Sequence, residues 1–379
     1  MTNEISKVER IPKFQQLAGE LRQQILSGQL PVGESLPTYA AMQAKFGCAQ
    51  NTLEKALSVL EQEGLIFRKP SSGVYVAPRS KPAAKTGFIG YVDDRWQRSK
   101  NQLYYTQLLA GVREAAEQAG KQIVLIHAFN AFKQWEQLEG VLFCAAAHHF
   151  AFSSKDFLPY MPPEMPTVNL LFPLPGMPSV LADDAGGVRQ LIEHLIGLGH
   201  RRIAYLTQVH FPLMAHHPLL QTRYQSYLET LQAHGIDAQP EWVFSPSILH
   251  EPDYVHYGYE SMKLWLKNGW ENLQCTALLC QNDLCAMGAM NALEEAGLRV
   301  PDDVSIAGYD GSEIFCVRPY GLTTVQVPLL EIGATGLNVL TARIKYPQQN
   351  QRNVMLPVQL IAGKTTAAVN QKYAAAKAV

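Results

Sequence analysis

The first 77 residues contain three helix-like segments, two of which carry an apolar stripe at helical spacing, followed by two short β-rich runs. Leu17, Leu21 and Ile25 recur every four residues and predict a helix over residues 13–28, where Gly28 is a typical helix end. A second, shorter helix is predicted over residues 36–47. Its start is marked by Pro-Thr and its end by Gly.

A third helix is predicted over residues 49–65, with Gly64 as its end signal. Its apolar stripe consists of Leu53, Ala56, Leu57 and Leu60. Its polar face consists of Gln50, Asn51, Glu54, Lys55 and Ser58. Such a face is either an ordinary solvated helix surface or a surface that reads the edges of bases.

Residues 65–77 read as two β-rich runs around Pro-Ser-Ser-Gly, which predicts a hairpin. Three helices followed by a hairpin make a winged helix-turn-helix. In this arrangement the third helix enters the major groove and the hairpin lies along the phosphates. The position of the helix over residues 49–65 therefore favours DNA reading over a plain solvated face.

The rest of the chain alternates apolar runs with amphipathic segments. Strands such as "GFIGYV", "LEGVLF", "RRIAYL" and "TALLC" are each followed by a loop or a helix, and the pattern restarts after residue 200. Buried parallel strands read as continuous apolar runs joined by helical crossovers. We therefore predict an α/β body of two lobes with parallel sheets, whose ligand residues lie at the carboxyl ends of strands.

A composition break separates the two parts. Residues 77–86 are rich in Pro, Lys and Ala and have no apolar periodicity, which is typical of a linker. The predicted domains are a DNA-binding domain over residues 1–76, the linker over residues 77–86, and an effector-binding and dimerisation domain over residues 87–379.

Composition excludes some classes of protein. Of 379 residues, 47% are hydrophobic and 17% are charged, with a net charge of −1, so the chain is globular and charge alone does not indicate nucleic acid or a membrane. The polar N-terminus has no signal-peptide core and no long apolar run follows, so we expect a cytoplasmic protein without a membrane partner.

The chain offers little for catalysis or metal binding. Its six cysteines lack the paired spacing of a zinc site, and we expect reduced thiols, no metal and no cofactor. Phosphate-loop, nucleophile-elbow and zinc-protease motifs are also missing from the sequence. We therefore expect a protein that is not an enzyme and has no catalytic residues.

Two resemblances cover most of the chain. Residues 13–77 resemble the GntR family of bacterial regulators, above all in "SGQLPVGESLP", "NTLEKALSVLEQEGLI" and "SSGVYV". Residues 86–367 resemble the effector-binding body of the LacI/GalR family, which is similar to periplasmic sugar-binding proteins. The matching motifs are "EHLIGLGHRRIAYL", "QNDLCAMGAMNALEEAGLRVPDDVSIAGYDG" and "LPVQLIAGKTT". The combination resembles the arabinose-responsive repressors that join these two modules.

The GntR resemblance implies a set of DNA-contacting residues and one departure from the family. Gln50 and Glu54 stand where the family usually has Arg in the third helix, and Ala40 replaces an Arg of the second. Gln and Asn can pair with adenine and Glu can accept from cytosine, so we expect an atypical operator. Alternatively, Glu54 and Lys55 are solvated helix charges. The candidate DNA-binding residues are Thr38, Tyr39, Gln50, Asn51, Thr52, Lys55, Arg68, Lys69 and Ser72.

The LacI/GalR resemblance implies an effector site. Arg223 stands where that family has its ligand-binding Arg, and Asp283 matches its ligand-contacting acidic residue, although Asp is also a common helix N-cap. Asp310 either contacts the ligand or stabilises its own loop. The tyrosines that follow the first strand either contact the ligand or are buried in the core. The candidate effector-binding residues are Asp94, Tyr104, Tyr105, Arg223, Asp283 and Asp310.

These features predict a transcription regulator, more specifically a repressor. A homodimer would bind a double-stranded operator, and a small sugar-like effector between the lobes would control its affinity. Three alternatives stay open: a solute-binding component of a transport system, an effector that is a nucleobase, and an effector that is phosphorylated.

Overall fold

A computed structural model describes most of the chain. The described ranges are residues 12–26, 29–31, 33–62, 65–69, 73–77, 86–92, 102–126, 132, 134–144, 161–162, 164–174, 176–210, 217–247, 253–316, 321–347 and 352–369. They form two compact units. Residues up to Thr86, with the described residues between 130 and 139 and between 154 and 165, make up the first unit, and the rest make up the second.

The first unit begins with three helices, α1 (Lys13–Leu26), α2 (Tyr39–Phe46) and α3 (Gln50–Gln62). The ends of α2 follow from two residues. The Thr38 hydroxyl accepts a hydrogen bond from the Ala41 amide at 3.3 Å, and Gly47 ends the helix with a left-handed backbone, φ 56°. The predicted start and end signals therefore act as predicted.

A hairpin of β1 (Ile66–Lys69) and β2 (Gly73–Val76) completes this unit. The strands are antiparallel, with Ile66 opposite Val76 and Arg68 opposite Val74. One apolar core joins helices and hairpin, and its members are Leu17, Ala18, Leu21, Ile25, Leu36, Met42, Leu53, Ala56, Leu57, Leu60, Ile66, Val74 and Val76. The predicted winged helix-turn-helix, with the apolar stripe of α3 facing inward, is confirmed.

Two parallel sheets organise the second unit. The first contains β3 (Phe88–Val92), β4 (Gln122–Ile126), β5 (Gly140–Phe143), β6 (Thr167–Leu170), β7 (Ser179–Ala182) and β13 (Val354–Leu356), in the order β13-β7-β6-β5-β3-β4. The second contains β8 (Ile203–Leu206), β9 (Val243–Phe244), β10 (Ala277–Cys280) and β11 (Ser305–Ala307), in the order β11-β10-β8-β9. Every neighbouring pair in both sheets is parallel.

Helices connect these strands. They are α4 (Gln102–Gln118), α5 (Asp184–Gly197), α6 (Pro218–Ala233), α7 (Tyr254–Lys267), α8 (Trp270–Leu273), α9 (Asp283–Glu295), α10 (Glu313–Cys316) and α11 (Leu329–Lys345). A small antiparallel pair, β12 (Thr324–Gln326) and β14 (Gln359–Ile361), lies outside the main sheets. The predicted α/β body with parallel sheets is confirmed.

The chain passes between the two sheets more than once. It leaves the first sheet after β7 and returns to it near its end, where Val354 pairs with Val180. On this return α11 packs against α4, and Gly333 lies so close to the Leu108 carbonyl that no side chain would fit. Residues 78–85 lie outside the described residues, so the linker and domain boundaries stay predictions.

Candidate DNA interface and effector site

The polar face of α3 is open in the first unit. Gln50, Asn51 and Lys55 are exposed, and Thr52 and Glu54 are half-buried. The side chains that anchor the helix all lie on its opposite face, in the apolar core. The candidate base-reading residues of α3 therefore lie on the face of the helix that points away from the apolar core.

Two further candidates lie at the start of α2. Thr38 caps the helix, as described above, so its oxygen has a structural partner in addition to any role on DNA. The Tyr39 hydroxyl accepts a hydrogen bond from Nη1 of Arg68 at 3.2 Å. Burial raises the pKa of Tyr39, and the nearby Arg68 opposes this shift.

The hairpin residues have partners within their own unit. Arg68 donates through Nε to Glu61 at 2.9 Å and through Nη2 to Glu54 at 3.0 Å. The hydrogen bond from Arg68 lowers the pKa of Glu54. Lys69 places its ammonium 4.6 Å from the centre of the Tyr75 ring. Ser72 lies outside the described residues.

Arg223 is the centre of a buried polar cluster in the second unit. It projects from α6, which packs on α5 through a hydrogen bond from the Ser226 hydroxyl to the Ala185 carbonyl at 2.7 Å. Its Nη1 donates to the Gln281 carbonyl at 2.8 Å, and its guanidinium carbon lies 3.6 Å from the centre of the Tyr309 ring. The ring contact fixes the plane of the guanidinium, and the hydrogen bond fixes the direction in which its N–H groups point.

Two carboxylates flank this guanidinium. Oδ1 of Asp184 lies 2.8 Å from both Nε and Nη2 of Arg223, and Oδ1 of Asp310 lies 3.9 Å from Nη2. The side chains of both aspartates are 11% exposed and that of Arg223 is 5% exposed. Asp310 also has a φ of 121°, a backbone conformation that favours glycine, so strain is stored beside the cluster.

Burial dominates the ionisation of this cluster. It raises the pKa of Asp184 and raises that of Asp310 well above its ordinary range, and Arg223 opposes both shifts. Burial disfavours the charge of Arg223, but Asp184, Tyr309 and Asp310 outweigh it and raise the arginine pKa. The arginine therefore stays charged, while the carboxylates take up protons more readily than in water.

Asp283 has a different environment from the one predicted. It is fully buried, and its carboxylate accepts from the Thr324 hydroxyl at 2.6 Å and from the Ser312 amide at 2.7 Å. The N-cap of α9 is Asn282, whose Oδ1 accepts from the Cys285 amide at 2.8 Å. The N-cap alternative for Asp283 is therefore wrong, because the helix begins one residue earlier than that alternative requires.

The two tyrosines of α4 differ in burial. Tyr104 is half-buried and Tyr105 is buried in the core, with their rings 5.3 Å apart in an edge-on contact. Burial raises the pKa of Tyr104, and the next contribution comes from the nearby charge of Asp310. Tyr104 therefore belongs to the Arg223 cluster electrostatically, whereas Tyr105 packs inward. Asp94 lies outside the described residues.

Sequence reasoning missed three members of this cluster. Asp184 is the main ion partner of Arg223, Tyr309 stacks on it, and Gln281 accepts from it. A signal existed for two of them, because Asp184 comes two residues after a strand in "LADDAGG" and Tyr309 precedes Asp310 in "GYDG". The neighbouring Asp183 caps α5 through the Gly186 amide at 2.9 Å.

The described residues contain no group of three or more His, Cys, Asp or Glu side chains arranged to hold a metal ion. None of the helices in this part of the chain is long and apolar enough to cross a membrane. The site contains one guanidinium and several carboxylates, which can form hydrogen bonds and ion pairs. Aromatic rings lie beside them.

Comparison with known proteins agrees with both units. Residues 13–76 match the model for bacterial regulatory proteins of the gntR family, and residues 192–366 match the model for a periplasmic binding protein-like domain. The arabinose metabolism transcriptional repressor of Geobacillus stearothermophilus is 27% identical over 372 residues, which cover 89% of this chain and 93% of that protein.

Solved structures share the fold of the body. A LacI family transcriptional regulator from Enterococcus faecium with bound ribose is 22% identical and has a TM-score of 0.58, covering 75% of this chain and 100% of that chain. The Lac repressor dimer bound to operator and the anti-inducer ONPF is 24% identical with a TM-score of 0.58, covering 74% of this chain and 94% of that chain. The chain thus combines a match to bacterial regulatory proteins of the gntR family at residues 13–76 with a body that shares the fold of LacI family regulators and matches a periplasmic binding protein-like domain at residues 192–366.

Proposed function

We propose that this protein is a sequence-specific repressor whose affinity for its operator is controlled by a small, carbohydrate-like effector bound between the two lobes of the body. The observation that carries the proposal is the buried cluster of Arg223, Asp184 and Asp310, with Tyr104 and Tyr309 beside it. The gntR-family match at residues 13–76 of the same chain supports a DNA-binding module whose operator affinity the effector site would control.

The chemistry of the cluster suits a polyol. Two N–H groups of Arg223 are directed at Asp184 and one at the Gln281 carbonyl, so its fork is held rigid for a ligand. Asp310 supplies acceptor oxygens for hydroxyl groups, and the half-buried ring of Tyr104 supplies an apolar face for C–H groups, while the buried Tyr309 ring supports Arg223. Hydroxyls both donate and accept, so they match a site that contains both kinds of partner.

The DNA side supports a dimer. The first 80 residues carry little excess positive charge, and Arg68, one of the basic side chains near the DNA face, is paired with carboxylates of its own unit. A module that neutralises few phosphates binds weakly at physiological salt. Two modules on a pseudo-palindromic operator would supply the missing affinity, and the Lac repressor, a structural relative, was solved as a dimer on its operator.

The experiment is a thermal-shift screen of the purified full chain against free sugars, sugar phosphates and nucleobases. Ligand binding to the native state raises the melting temperature. A hit should be lost in Arg223→Gln and in Asp310→Asn, and kept in the matched control Arg299→Gln, whose side chain is 65% exposed. The hit should then change operator affinity, with a coupling of typically about 1–3 kcal/mol.

The result also separates the alternatives. A nucleobase or a sugar phosphate as the only hit would identify a different effector class at the same cluster. No shift with any compound, or a shift that survives both cluster variants, would contradict the proposed effector site. A ligand that binds without changing operator affinity would favour a solute-binding role over a sensor.

A further inference from the structure

Arg68 is held by three side chains of its own unit. Its Nε, Nη1 and Nη2 donate to Glu61, Tyr39 and Glu54 at 2.9, 3.2 and 3.0 Å. Every nitrogen of the guanidinium has a protein partner, and two of the partners are carboxylates. Three of its five N–H groups are engaged and its charge is already shared with two carboxylates, so Arg68 is a weaker phosphate contact than an arginine without an ion pair.

Glu54 lies on the part of α3 that would face bases. It follows Gln50 by four residues and Asn51 by three, so the three side chains share one face of the helix. Its side chain is 39% exposed. A free carboxylate beside the phosphates of DNA would be repelled, but the ion pair with Arg68 offsets its charge.

Glu54 has two partners in its own unit. Arg68 binds its Oε2, and the Tyr39 side chain also forms a hydrogen bond with this carboxylate. These partners fix the carboxylate, whose remaining lone pairs can accept from a new donor. In the major groove the donors that a carboxylate can take are the exocyclic amino groups of cytosine N4 and adenine N6.

From this geometry we propose that Glu54 reads an exocyclic amino group in the operator and that Arg68 is the positioning residue that fixes it. The proposal rests on the proposed operator binding and adds to it the residue that sets base preference. Arg68, predicted from the sequence as a DNA-binding residue, acts through Glu54. Lys69 has ring contacts but no ion pair among the described residues, and it remains suited to phosphate.

The test is selection from a randomised DNA library with the full chain, repeated with five variants and followed by binding at several salt concentrations. Glu54→Gln should change the preferred base at one operator position and leave the others unchanged. Arg68→Gln should reduce discrimination at that same position by about 5- to 100-fold, the range of one lost base contact, with little change in salt dependence.

Three comparisons distinguish positioning from other roles. Arg68→Lys keeps the charge but loses the fork, so it should also lose discrimination at that position. Glu61→Gln keeps the Glu54 contact and should keep the base preference. Lys69→Gln should weaken binding to all sequences and lower the slope of log affinity against log salt by about one.

Other outcomes overturn the proposal. Equal weakening of all sequences by Arg68→Gln, with a salt slope reduced by about one, would make Arg68 a phosphate contact. An unchanged selection profile in Glu54→Gln would mean that Glu54 reads no base. No enrichment by the wild-type chain would contradict the proposed operator binding itself, and this inference with it, which separates that failure from the other two.

Discussion

Arg223 and Asp184 form a buried ion pair in which one carboxylate oxygen lies 2.8 Å from two nitrogens of the guanidinium. Asp310 lies at the edge of the same guanidinium, 3.9 Å away, and Asp283 is fully buried nearby. One positive charge thus stands among three carboxyl groups. The arginine that would bind an effector also stabilises the body without one.

This double role predicts that Arg223→Gln destabilises the body. Removing one partner of a buried pair leaves carboxylates uncompensated, which typically costs about 3–5 kcal/mol. Urea denaturation at pH 7.5 should show this loss. The control Arg299→Gln removes an exposed arginine and should change the free energy of unfolding by less than about 0.5 kcal/mol.

The same variant should recover at acid pH. Burial raises the pKa of Asp184 and Asp310, so both can be neutralised above their ordinary range. Once they are protonated, the missing arginine leaves less uncompensated charge. A destabilisation that stays constant between pH 7.5 and 5 would contradict this account of the cluster.

Asp283 predicts a second pH dependence. Burial raises its pKa to about 7 from an ordinary value of 3.8, so between these two values the folded chain binds a proton that the unfolded chain has lost. The stabilising contribution is complete below about pH 3.8 and disappears as the pH rises through 7. Asp283→Asn carries no titrating group there.

The measurement is the melting temperature of wild type minus that of Asp283→Asn at pH 4.5, 6 and 8. This difference should decrease as the pH rises, and it should be constant above about pH 8. The control Asp302→Asn also removes one carboxylate, but from a side chain that is 59% exposed. If the difference in melting temperature between wild type and Asp283→Asn increased with pH, the predicted pH dependence would be wrong.

Helices α7 and α9 pack through two glycines, which gives a third prediction. A Cβ at Gly258 would collide with the Cys285 carbonyl, and one at Gly288 with the Val255 carbonyl. Gly258→Ala or Gly288→Ala should therefore lower the free energy of unfolding by about 1–3 kcal/mol, the usual cost of overpacking. Gly197→Ala, at the end of α5 with open space around it, should instead be neutral or stabilising by up to about 1 kcal/mol.

The parts of the fold that were predicted from the sequence rest on local signals. The stripe of Leu53, Leu57 and Leu60 specifies the buried face of α3, and Thr38 and Gly47 specify the ends of α2. Each of these signals lies within a single helix, so it can be recognised in the sequence without knowledge of the tertiary structure.

The contacts that the sequence did not reveal join distant residues. Arg68 meets Glu54 only because the hairpin folds back beside α3, and Arg223 meets Asp184 only because α6 packs on α5. Arg223 itself was found through a family resemblance, which names a residue but not its partners. Asp283 was assigned a cap as one alternative because Asp is common there, whereas Asn282 caps the helix.

Thr38 gives a last prediction, because it has a structural role and a predicted DNA role that substitution can separate. Its hydroxyl oxygen caps α2 through the Ala41 amide. Thr38→Ala should lower the stability of the first unit by about 1 kcal/mol and speed hydrogen exchange of the α2 amides in the full chain. Asn is an equally good cap but lacks the hydroxyl. Thr38→Asn should therefore keep exchange near the wild-type rate, and a loss of operator affinity in this variant alone would come from a lost DNA contact. Wild-type affinity in Thr38→Asn, with weaker binding in Thr38→Ala, would mean that Thr38 serves DNA binding only by capping α2.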